Sequence, residues 1–367
     1  MNFDFSDDSK LLRDQARRFL AEKCTTKQMR TVLEGKAPYL RELWREMATM
    51  GWLGAAIPEE YEGGGLGYEA LCVLAEELGR AVAPVPFAAS IALGAEAILA
   101  AGTEAQKREH LPRIARGETI ATVALGAGPG EPTQARVQAN LRDGRISGEA
   151  WPVPDGGVAG LAVVAARDGS GVTLVLVDLN GAGVTRTAIE TLDPTDPQAR
   201  LRFDNAPATP MARGWDAVQG VLDRAAVLIA FAQVGGASAC LEMAAVYAKE
   251  RHAFGRPIGS FQAIKHRLAD VYIATELARS NAYYGAWALE TGSAELPLAA
   301  ATARVSASEA GFFAAKENIQ VHGGIGFTWE MDCHVFYRRA KHLGLVLGSV
   351  RHWKDRVVSE LEMRNAA

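Results

Sequence analysis

An aromatic residue between two arginines, at a break between two helical patterns, is the first feature of this sequence that suggests binding chemistry. Arg251 and Arg256 flank Phe254, and glycine and proline at positions 255–259 interrupt the helical spacing of apolar residues on either side. The planar guanidinium fork suits phosphate oxygens, and glycine lets a backbone approach a ligand closely. The stretch therefore indicates either a phosphate site or a solvated turn between two helices.

A second break, at residues 320–327, reads Gln-Val-His-Gly-Gly-Ile-Gly-Phe and follows another helical pattern. One glycine-rich turn is weak support for a ligand site, but the two breaks in this order are much stronger support. Together they resemble the C-terminal half of the acyl-CoA dehydrogenases, the flavin enzymes that desaturate acyl thioesters. The resemblance extends over most of the chain and is strongest over residues 211–345.

This resemblance implies that both breaks serve FAD, because matching residues in the family hold the FAD of a neighbouring subunit. The residues that it assigns to FAD in this chain are Arg251, Phe254, Gln262, Gln320, Gly323 and Gly324. Ser349 lies where the family often has a hydroxyl group near FAD, and a helix N-cap is the alternative role for it. Because these segments face another subunit in the family, the chain is expected to form a homo-oligomer or a heteromer with a related subunit.

Two other segments depart from the family pattern. Family members commonly have Thr-Glu-Pro-Gly-x-Gly-Ser-Asp where this chain has Val-Ala-Leu-Gly-Ala-Gly-Pro-Gly at residues 123–130, so the acidic and hydroxyl groups are missing. The family's Trp-Ile-Thr segment, which stacks an aromatic ring on the flavin, is Pro-Val-Pro at residues 152–154 here, and Trp151 is displaced by one position. In a strand, a shift of one residue turns a side chain to the opposite face. The contacts to the chain's own flavin are therefore expected to be altered.

The catalytic base of the family is also missing from its usual positions. Desaturation removes a proton from Cα and a hydride from Cβ, and a carboxylate usually accepts the proton. The family most often places this carboxylate where the chain has Leu347, and some members place it where the chain has Ala225. Asp223 and Glu242 are the nearby carboxylates. Each has an alternative role: a surface ion pair with Arg224 for Asp223, and a structural or pantetheine-facing position for Glu242.

The composition argues against several other kinds of function. The formal net charge is -4, so a polyanionic partner such as nucleic acid is not expected. The histidines show no metal-ligand spacing with acidic partners, and the cysteines are too far apart for a metal or redox motif, so no metal is expected. The most apolar run, near residues 225–246, contains Gln233 and Glu242 and is interpreted as a core helix and not a membrane span. A reduced cytoplasmic protein is expected.

The elements that must position these residues follow the order helix, strand, helix. Helices are predicted over residues 6–34, 39–50, 68–80, 88–101, 104–115, 216–250, 261–290, 297–321 and 349–363. Strands are predicted over residues 120–125, 137–141, 161–165, 172–178 and 201–204. The predicted fold is α+β, with an N-terminal all-α domain (1–117), a β-barrel or sandwich domain (118–207) and a C-terminal domain of the four-helix-bundle type (208–367).

Three functions are compatible with this pattern. The first is an FAD-dependent acyl-CoA dehydrogenase that passes electrons to an acceptor of the electron-transfer flavoprotein type. The second is a catalytically silent subunit that completes the FAD site of a homologous partner in a heteromer. The third is a structural pseudoenzyme that has lost flavin. The C-terminal segments are intact, whereas the β-domain segments and both base positions are altered. This asymmetry favours a division of labour between two related subunits, and the alternative is a homo-oligomer that binds FAD through backbone groups of the altered loop, with Asp223 or Glu242 as the base.

Overall fold

The computed structural model describes residues 5–366 of the chain. The chain is helical up to residue 115, forms a sheet between residues 121 and 214, and is helical again from residue 216. This is the order that the sequence predicts, and the predicted fold class is confirmed. Residues 1–4 and 367, at the ends of the first and third predicted domains, lie outside the described residues.

Within the described residues, six α-helices precede the sheet. They are α1 (Asp7–Lys23), α2 (Thr26–Leu33), α3 (Arg41–Thr49), α4 (Gly67–Arg80), α5 (Glu96–Ala101), which continues a π-helical segment at Ala88–Ala95, and α6 (Glu104–Ala115). The prediction of one helix over residues 6–34 is wrong. The Thr25 N–H donates to Gln28 Oε1 (2.9 Å) and the Gln28 N–H donates to Thr25 Oγ1 (3.4 Å). This reciprocal capping starts a new helix.

Eight strands form one mixed sheet in the described part of the chain. They are β1 (Ala121–Ala124), β2 (Asn140–Arg142), β3 (Arg145–Pro154), β4 (Leu161–Asp168), β5 (Gly171–Asp178), β6 (Val184–Ile189), β7 (Gln198–Pro207) and β8 (Thr209–Gly214). The hydrogen-bonded order is β6-β7-β3-β2-β4-β5-β8, with β1 beside β4. The pairs β1–β4 and β2–β4 are parallel and the others are antiparallel. Residues 161–166 of β4 are buried at every position, which explains why this strand is a continuous apolar run.

Three of these strands, β3, β6 and β8, were not predicted. β3 contains Gly148, Pro152 and Pro154, which are poor strand formers. Its register with β7 shifts at Ile146/Gly148 and again at Ala150/Val153, so bulges accommodate these residues. The strand predicted at residues 137–141 is shorter in the structure and lies at Asn140–Arg142, and a 3₁₀ turn at Gln134–Arg136 precedes it.

The C-terminal region consists of long helices joined by short turns. They are α7 (Asp216–Glu250), α8 (Gln262–Glu290), α9 (Leu296–His322), α10 (Cys333–Leu343) and α11 (Val350–Ala366), with the two-residue strands β9 (His252–Ala253) and β10 (Arg256–Pro257) between α7 and α8. The sequence analysis missed α10. By length and composition α7 could cross a membrane, and 67% of its most apolar stretch is buried inside the protein.

The chain divides into two compact units. The first comprises Met1–Met29, Cys72–Ala83 and Ala226–Ala367, and it contains α1 and the C-terminal helices. The second comprises Arg30–Leu71 and Pro84–Ala225, and it contains the whole eight-stranded sheet. The division of the chain into domains at residues 117/118 and 207/208 stays a prediction.

Candidate functional site

The turn after α7 directs one aromatic ring away from its own chain. The Arg251 N–H continues the helical hydrogen bonds by donating to the Tyr247 carbonyl (2.8 Å), and then β9 and β10 reverse the chain. Phe254 (φ +53°) and Gly255 (φ +79°) form the reversal in the left-handed region. That conformation costs a non-glycine residue roughly 1–2 kcal/mol. The Phe254 side chain is 94% exposed, so its own chain gains little from it.

The two arginines of this turn have different surroundings. The Arg256 guanidinium lies over the Phe261 ring at 4.1 Å from the centroid. Arg251 is exposed, and its guanidinium has no hydrogen bond or ion pair within residues 5–366. The side chain of Gln262, at the start of α8, is likewise exposed and unpaired among the described residues. Phe254 itself meets Phe261 only edge to face, with 6.1 Å between ring centroids. Among the described residues, the turn therefore presents an unpaired cation, an unpaired amide and a largely exposed ring to a ligand from outside.

The second glycine turn is open in the same way. α9 ends at His322, and Gly323 follows with φ +65°. A Cβ built on Gly323 or Gly324 would meet nothing within 4 Å. Both glycines and Gln320 are exposed, and the Phe327 side chain is 81% exposed. An external ligand can therefore reach this backbone directly.

Both turns belong to the same compact unit, and ring stacking connects the helices that carry them. Tyr247, one helical turn before Arg251, stacks on His322 with 4.2 Å between ring centroids. Val321 packs with Ala244 and Ala248 of α7 in a buried apolar cluster. The structure therefore brings together the two segments that the sequence assigns to FAD.

Ser349 caps a helix. Its hydroxyl oxygen accepts a hydrogen bond from the His352 N–H (3.3 Å) at the start of α11. The N-cap alternative is thus observed, and a role near FAD stays a prediction. The loop before Ser349 is held by Arg304, a fully buried cation on α9. Arg304 donates to the Val346 carbonyl (2.7 Å) and to the Leu343 carbonyl.

Arg304 also donates to Gln233 Oε1 (2.5 Å) and to Ser308 Oγ (2.7 Å). Burial lowers the pKa of Arg304 to about 9, so the guanidinium remains charged at neutral pH. The Leu343 carbonyl is at the C-terminal end of α10, where the helix dipole is negative. Arg304 therefore caps α10 and fixes the loop that leads to residue 347.

The two usual positions of the catalytic base hold aliphatic side chains. Leu347 adopts the left-handed conformation (φ +62°) and Gly348 follows with φ +107°. The strained turn is present, but its side chain cannot accept a proton. Ala225 on α7 is fully buried. Neither position offers a base.

The two candidate carboxylates lie in different environments. Asp223 is only 3% exposed and accepts a hydrogen bond from Gln219 Nε2 (3.3 Å). A surface ion pair with Arg224 is therefore the wrong interpretation, since Asp223 is not on the surface. Arg224 itself donates to Tyr68 Oη (2.6 Å) and to Glu96 Oε2 (3.1 Å). Burial raises the pKa of Glu96, and the Arg224 charge opposes that rise.

Glu242 is the more exposed of the two candidates. Its side chain is 59% exposed and forms an ion pair with Arg80 at the rim of a pocket of about 470 Å³ that is lined by several ion pairs. Glu242 lies on α7 and precedes Arg251, the residue directly after that helix, by nine residues, which is about 13 Å along the axis. A structural ion pair therefore accounts for Glu242.

An arginine of the chain itself packs against the altered flavin loop. The Ala127 N–H donates to the Arg136 carbonyl (2.9 Å). A Cβ on Gly130 would lie 2.7 Å from Arg136 Nη2, and one on Gly128 would lie 3.2 Å from Nη1. The Arg136 guanidinium thus lies against the backbone of residues 128–130. The resemblance implies flavin and substrate contacts in this segment, and here the Arg136 side chain lies beside a glycine backbone that carries no carboxyl or hydroxyl group.

The Trp151 ring is also engaged by its own chain. The Arg200 guanidinium lies 4.4 Å from the centroid of the ring, and Trp151 Nε1 donates to Glu149 Oε1 (3.1 Å). Arg200 completes the group by donating to Glu149 Oε2 (3.4 Å). A ring face that carries a guanidinium is not free for a flavin. The residues of this unit therefore fit FAD poorly, whereas the two open turns of the other unit fit it well.

Sequence reasoning missed three arginines that shape these sites: Arg136, Arg200 and Arg304. A signal existed for Arg304, since it is a single cation within a run of small apolar residues on a helix. A weaker sequence signal existed for Glu149, the carboxylate that pairs with Arg200, because it is two residues from Trp151 and so shares its face of the strand. No sequence signal points to Arg136 or Arg200, because their contacts depend on the paired strands and on the loop.

The described part of the chain contains neither a metal-binding cluster nor an exposed thiol. Residues 5–366 contain no group of three or more His, Cys, Asp or Glu side chains that could hold a metal ion. The four cysteines, all in the described part of the chain, are buried and form no disulfide. Burial raises the pKa of Cys24 to about 12 and that of Cys333 to about 11.

Comparison with known families gives two matches that together span most of the chain. Residues 6–118 match the model of the acyl-CoA dehydrogenase N-terminal domain, and residues 212–351 match the model of the acyl-CoA dehydrogenase C-terminal domain. Among curated proteins, acyl-CoA dehydrogenase IpdE2 of Mycobacterium tuberculosis is 33% identical over 357 residues, covering 97% of this chain and 98% of the relative.

Two solved structures are similar over nearly the whole chain. One is a variant of the Tcur3481-Tcur3483 steroid ACAD (34% identity, TM-score 0.90, covering 98% of this chain and 99% of that one). The other is the ChsE4-ChsE5 complex from Mycobacterium tuberculosis (29% identity, TM-score 0.90, covering 99% of each chain).

Proposed function

Since this chain belongs to the acyl-CoA dehydrogenase family, whose cofactor is FAD, we propose that it is the subunit of a heteromeric dehydrogenase that completes a partner's flavin site. In this proposal a homologous subunit supplies the flavin-stacking contacts and the catalytic carboxylate. The oligomer then contains fewer flavins than chains. The substrate is an acyl-CoA thioester, and the electrons leave to an acceptor of the electron-transfer flavoprotein type in the cytoplasm.

The observation that carries the proposal is the contrast between two sets of side chains. Arg251 and Gln262 are exposed and unpaired within the described residues, and Phe254 is almost fully exposed. In the sheet unit, Arg200 covers the Trp151 ring and Arg136 packs on the loop at residues 128–130. Groups that serve a neighbour's FAD are open, while groups that would serve the chain's own FAD are engaged.

Each open group has a defined task in this proposal. Arg251 binds phosphate oxygens of the dinucleotide through its planar fork. Phe254 packs its ring against the cofactor, and Gln262 and Gln320 donate or accept hydrogen bonds. The backbone of Gly323 and Gly324 approaches the cofactor closely. When bound, FAD supplies the hydride acceptor for α,β-desaturation.

The base positions support the same division of labour. A proton acceptor must lie within hydrogen-bond reach of the substrate Cα proton. Leu347 and Ala225 are aliphatic, and Glu242 is exposed in an ion pair with Arg80. Two similar structures are named for pairs of proteins, Tcur3481-Tcur3483 and ChsE4-ChsE5, which supports a related partner subunit. Because the first of them is a steroid ACAD, ring-bearing acyl-CoA thioesters are the first substrates to try.

One competing function has a specific observation in its favour. Asp223 is buried on α7, two residues from a position where some family members have the base. A homo-oligomer would then bind FAD through backbone groups of the loop at residues 126–130 and use Asp223 as the base. This alternative requires the chain alone to hold FAD and to turn over.

Co-expression separates the two functions. The chain is purified alone and with a homologue that carries the family glutamate, and reduction of an artificial electron acceptor is measured with straight-chain and ring-bearing acyl-CoA thioesters. The proposal expects turnover only in the co-purified complex. Turnover by the chain alone that is abolished by Asp223→Asn would contradict it. Asp14→Asn, at an exposed carboxylate of α1, is the matched control and should leave the activity of the complex unchanged.

A further inference from the structure

The stacked rings of Tyr247 and His322 connect two segments that are far apart in sequence. Arg251 and Gln320 are separated by most of α8 and α9, so only tertiary contacts can fix their spacing. The Arg251 N–H donates a hydrogen bond to the Tyr247 carbonyl (2.8 Å), and His322 directly precedes Gly323 in the chain. The contact between these two rings therefore connects the two helix ends from which the open turns start.

His322 is fixed on more than one side. It is 5% exposed, and its Nδ1 lies 2.8 Å from the Asn318 carbonyl oxygen. A carbonyl can only accept, so Nδ1 carries the proton. The rings of Tyr247 and His322 are stacked at 4.2 Å with 25° between their planes. The imidazole therefore has one orientation, set by a hydrogen bond and a ring face.

Gly326 closes the glycine turn against His322. A Cβ at position 326 would lie 2.9 Å from His322 Cβ and 2.7 Å from the Ile319 carbonyl oxygen. The turn at residues 323–327 therefore folds back directly onto the histidine. A displacement of the His322 ring would be transmitted to Gly323 and Gly324, which are next to it in the chain.

We propose that His322 and Tyr247 are positioning residues that fix Arg251 relative to the Gln320–Gly324 turn, so that both contact one FAD molecule. The inference rests on the proposed function. Binding groups must be held to within roughly half an ångström to act together on one ligand. The two rings contact no cofactor in this proposal, and they act through the turns that they join.

The test measures FAD affinity of the complex with the glutamate-bearing homologue, by titrating the FAD-depleted complex and following flavin fluorescence. His322→Ala removes the stack and the hydrogen bond, and FAD affinity should fall about three- to tenfold. His322→Phe keeps a ring at this place and should restore affinity to within about twofold. Tyr247→Leu should weaken binding as His322→Ala does. It also provides a second variant on another helix if His322→Ala does not fold.

A double-mutant cycle distinguishes positioning from general destabilisation. If the stack is what matters, the variant carrying both Tyr247→Leu and His322→Ala should lose no more affinity than either single variant. Trp287→Ala is the matched control, because it removes a ring that stacks on Tyr284 at 5.6 Å within α8 and joins no two segments. FAD affinity of this control should equal that of the parent.

The outcomes separate this inference from the proposed function. Arg251→Ala could weaken FAD binding while His322→Ala and Tyr247→Leu leave FAD affinity within about twofold of the parent. That result would overturn the positioning role of the two rings and would leave the proposed function intact. An equal loss of FAD affinity in Trp287→Ala would also overturn the positioning role, since removal of any aromatic ring from these helices would then weaken FAD binding. If neither Arg251→Ala nor His322→Ala changes FAD binding, the proposed function itself fails.

Discussion

At the scale of single residues, the surroundings of an arginine decide what it can bind. Arg256 lies on the Phe261 ring, Arg200 lies on Trp151, and Arg304 is buried among carbonyl and side-chain oxygens. Each of these guanidinium groups has an internal partner. Arg251 has none within residues 5–366, although it is in the same turn as Arg256. Its charge is therefore available to an anion from outside the chain.

Replacing Arg251 tests that availability. Arg251→Ala removes a charge-assisted contact worth roughly 1.5–3 kcal/mol, and we expect FAD affinity of the complex to fall by about one to two decades. Arg251→Lys should recover only part of the loss, because an ammonium group lacks the fork. Flavin retention after dialysis and fluorescence titration both report the effect. Arg18→Ala, at an exposed arginine of α1, is the control and should bind FAD as the parent does.

Restoring a carboxylate tests whether the base is the only group that is missing. Leu347→Glu places an acid on a turn that already has the left-handed backbone of residues 347–348. We expect no desaturation by this variant alone, because Arg200 still covers Trp151 and the chain's own flavin contacts remain altered. The acyl-CoA-dependent reduction of an electron acceptor is the assay. Turnover by isolated Leu347→Glu would mean that the chain binds its own FAD productively.

The buried thiols predict a loss of stability in alkali. Burial raises the pKa of Cys24 to about 12 and that of Cys333 to about 11, whereas an unfolded thiol has a pKa of about 8.5. Above that pH the unfolded chain binds fewer protons than the folded chain, so the free energy of unfolding falls as pH rises. The slope is up to about 1.4 kcal/mol per pH unit for each thiol.

Urea denaturation at pH 8, 9 and 10 measures this slope. Cys24→Ala should make the decline shallower, because it removes one of the three thiols, Cys24, Cys240 and Cys333, whose pKa burial raises. A decline of equal steepness in the variant and the parent would rule out the thiol as its source.

At the scale of elements, one buried cation organises the end of the helical bundle. Arg304 on α9 donates to carbonyl groups of Leu343 and Val346, at and just beyond the C-terminal end of α10. Leu347, Gly348 and Ser349 follow directly. The resemblance implies that this loop would carry the catalytic base, and the structure holds the loop in place although residue 347 is a leucine.

Loss of Arg304 should destabilise this unit. Arg304→Ala removes the donor to the carbonyl oxygens of Leu343 and Val346, at about 1–3 kcal/mol each, so we expect a loss of roughly 2 kcal/mol or more. Arg304→Lys should be intermediate, since an ammonium reaches fewer of these oxygens. The free energy of unfolding in urea is the measurement, and hydrogen exchange at residues 343–349 localises the change. A stability equal to that of Arg18→Ala would contradict the capping role.

Sequence patterns predicted the long elements well and the irregular ones poorly. The helices α7, α8 and α9 have sustained helical periodicity, and their predicted ends agree with the structure to within one residue. β3 escaped prediction because its glycine and prolines are accommodated by bulges against β7, which a single strand does not reveal. α10 has only 11 residues, so it offers few apolar positions from which a period can be recognised.

The site residues likewise fall into those that local sequence signals predict and those that depend on contacts between distant segments. The open turns could be predicted because glycine, proline and arginine at the end of a helix are local signals. The groups that occupy the sheet unit could not, because Arg200 reaches Trp151 only through the pairing of β7 with β3. The surface ion pair assigned to Asp223 failed for a similar reason, since burial of one helix face depends on what packs against it.

At the scale of the whole molecule, the two compact units differ in what they offer to a flavin. The unit with the C-terminal helices presents free groups at two adjoining turns. The unit with the sheet uses its own arginines where the family resemblance implies flavin contacts. In the proposed function, a related subunit with the complementary set of contacts would make one full site from two halves.

The most direct test of this account is the ratio of FAD to polypeptide in the complex co-purified with its glutamate-bearing homologue. Absorbance of released flavin, quantitative amino-acid analysis and native mass spectrometry give the ratio independently. A heteromer with equal numbers of both subunits should contain one FAD for every two chains, and this chain alone should contain almost none. One FAD per chain, in the complex or in the isolated protein, would contradict the proposed division of labour.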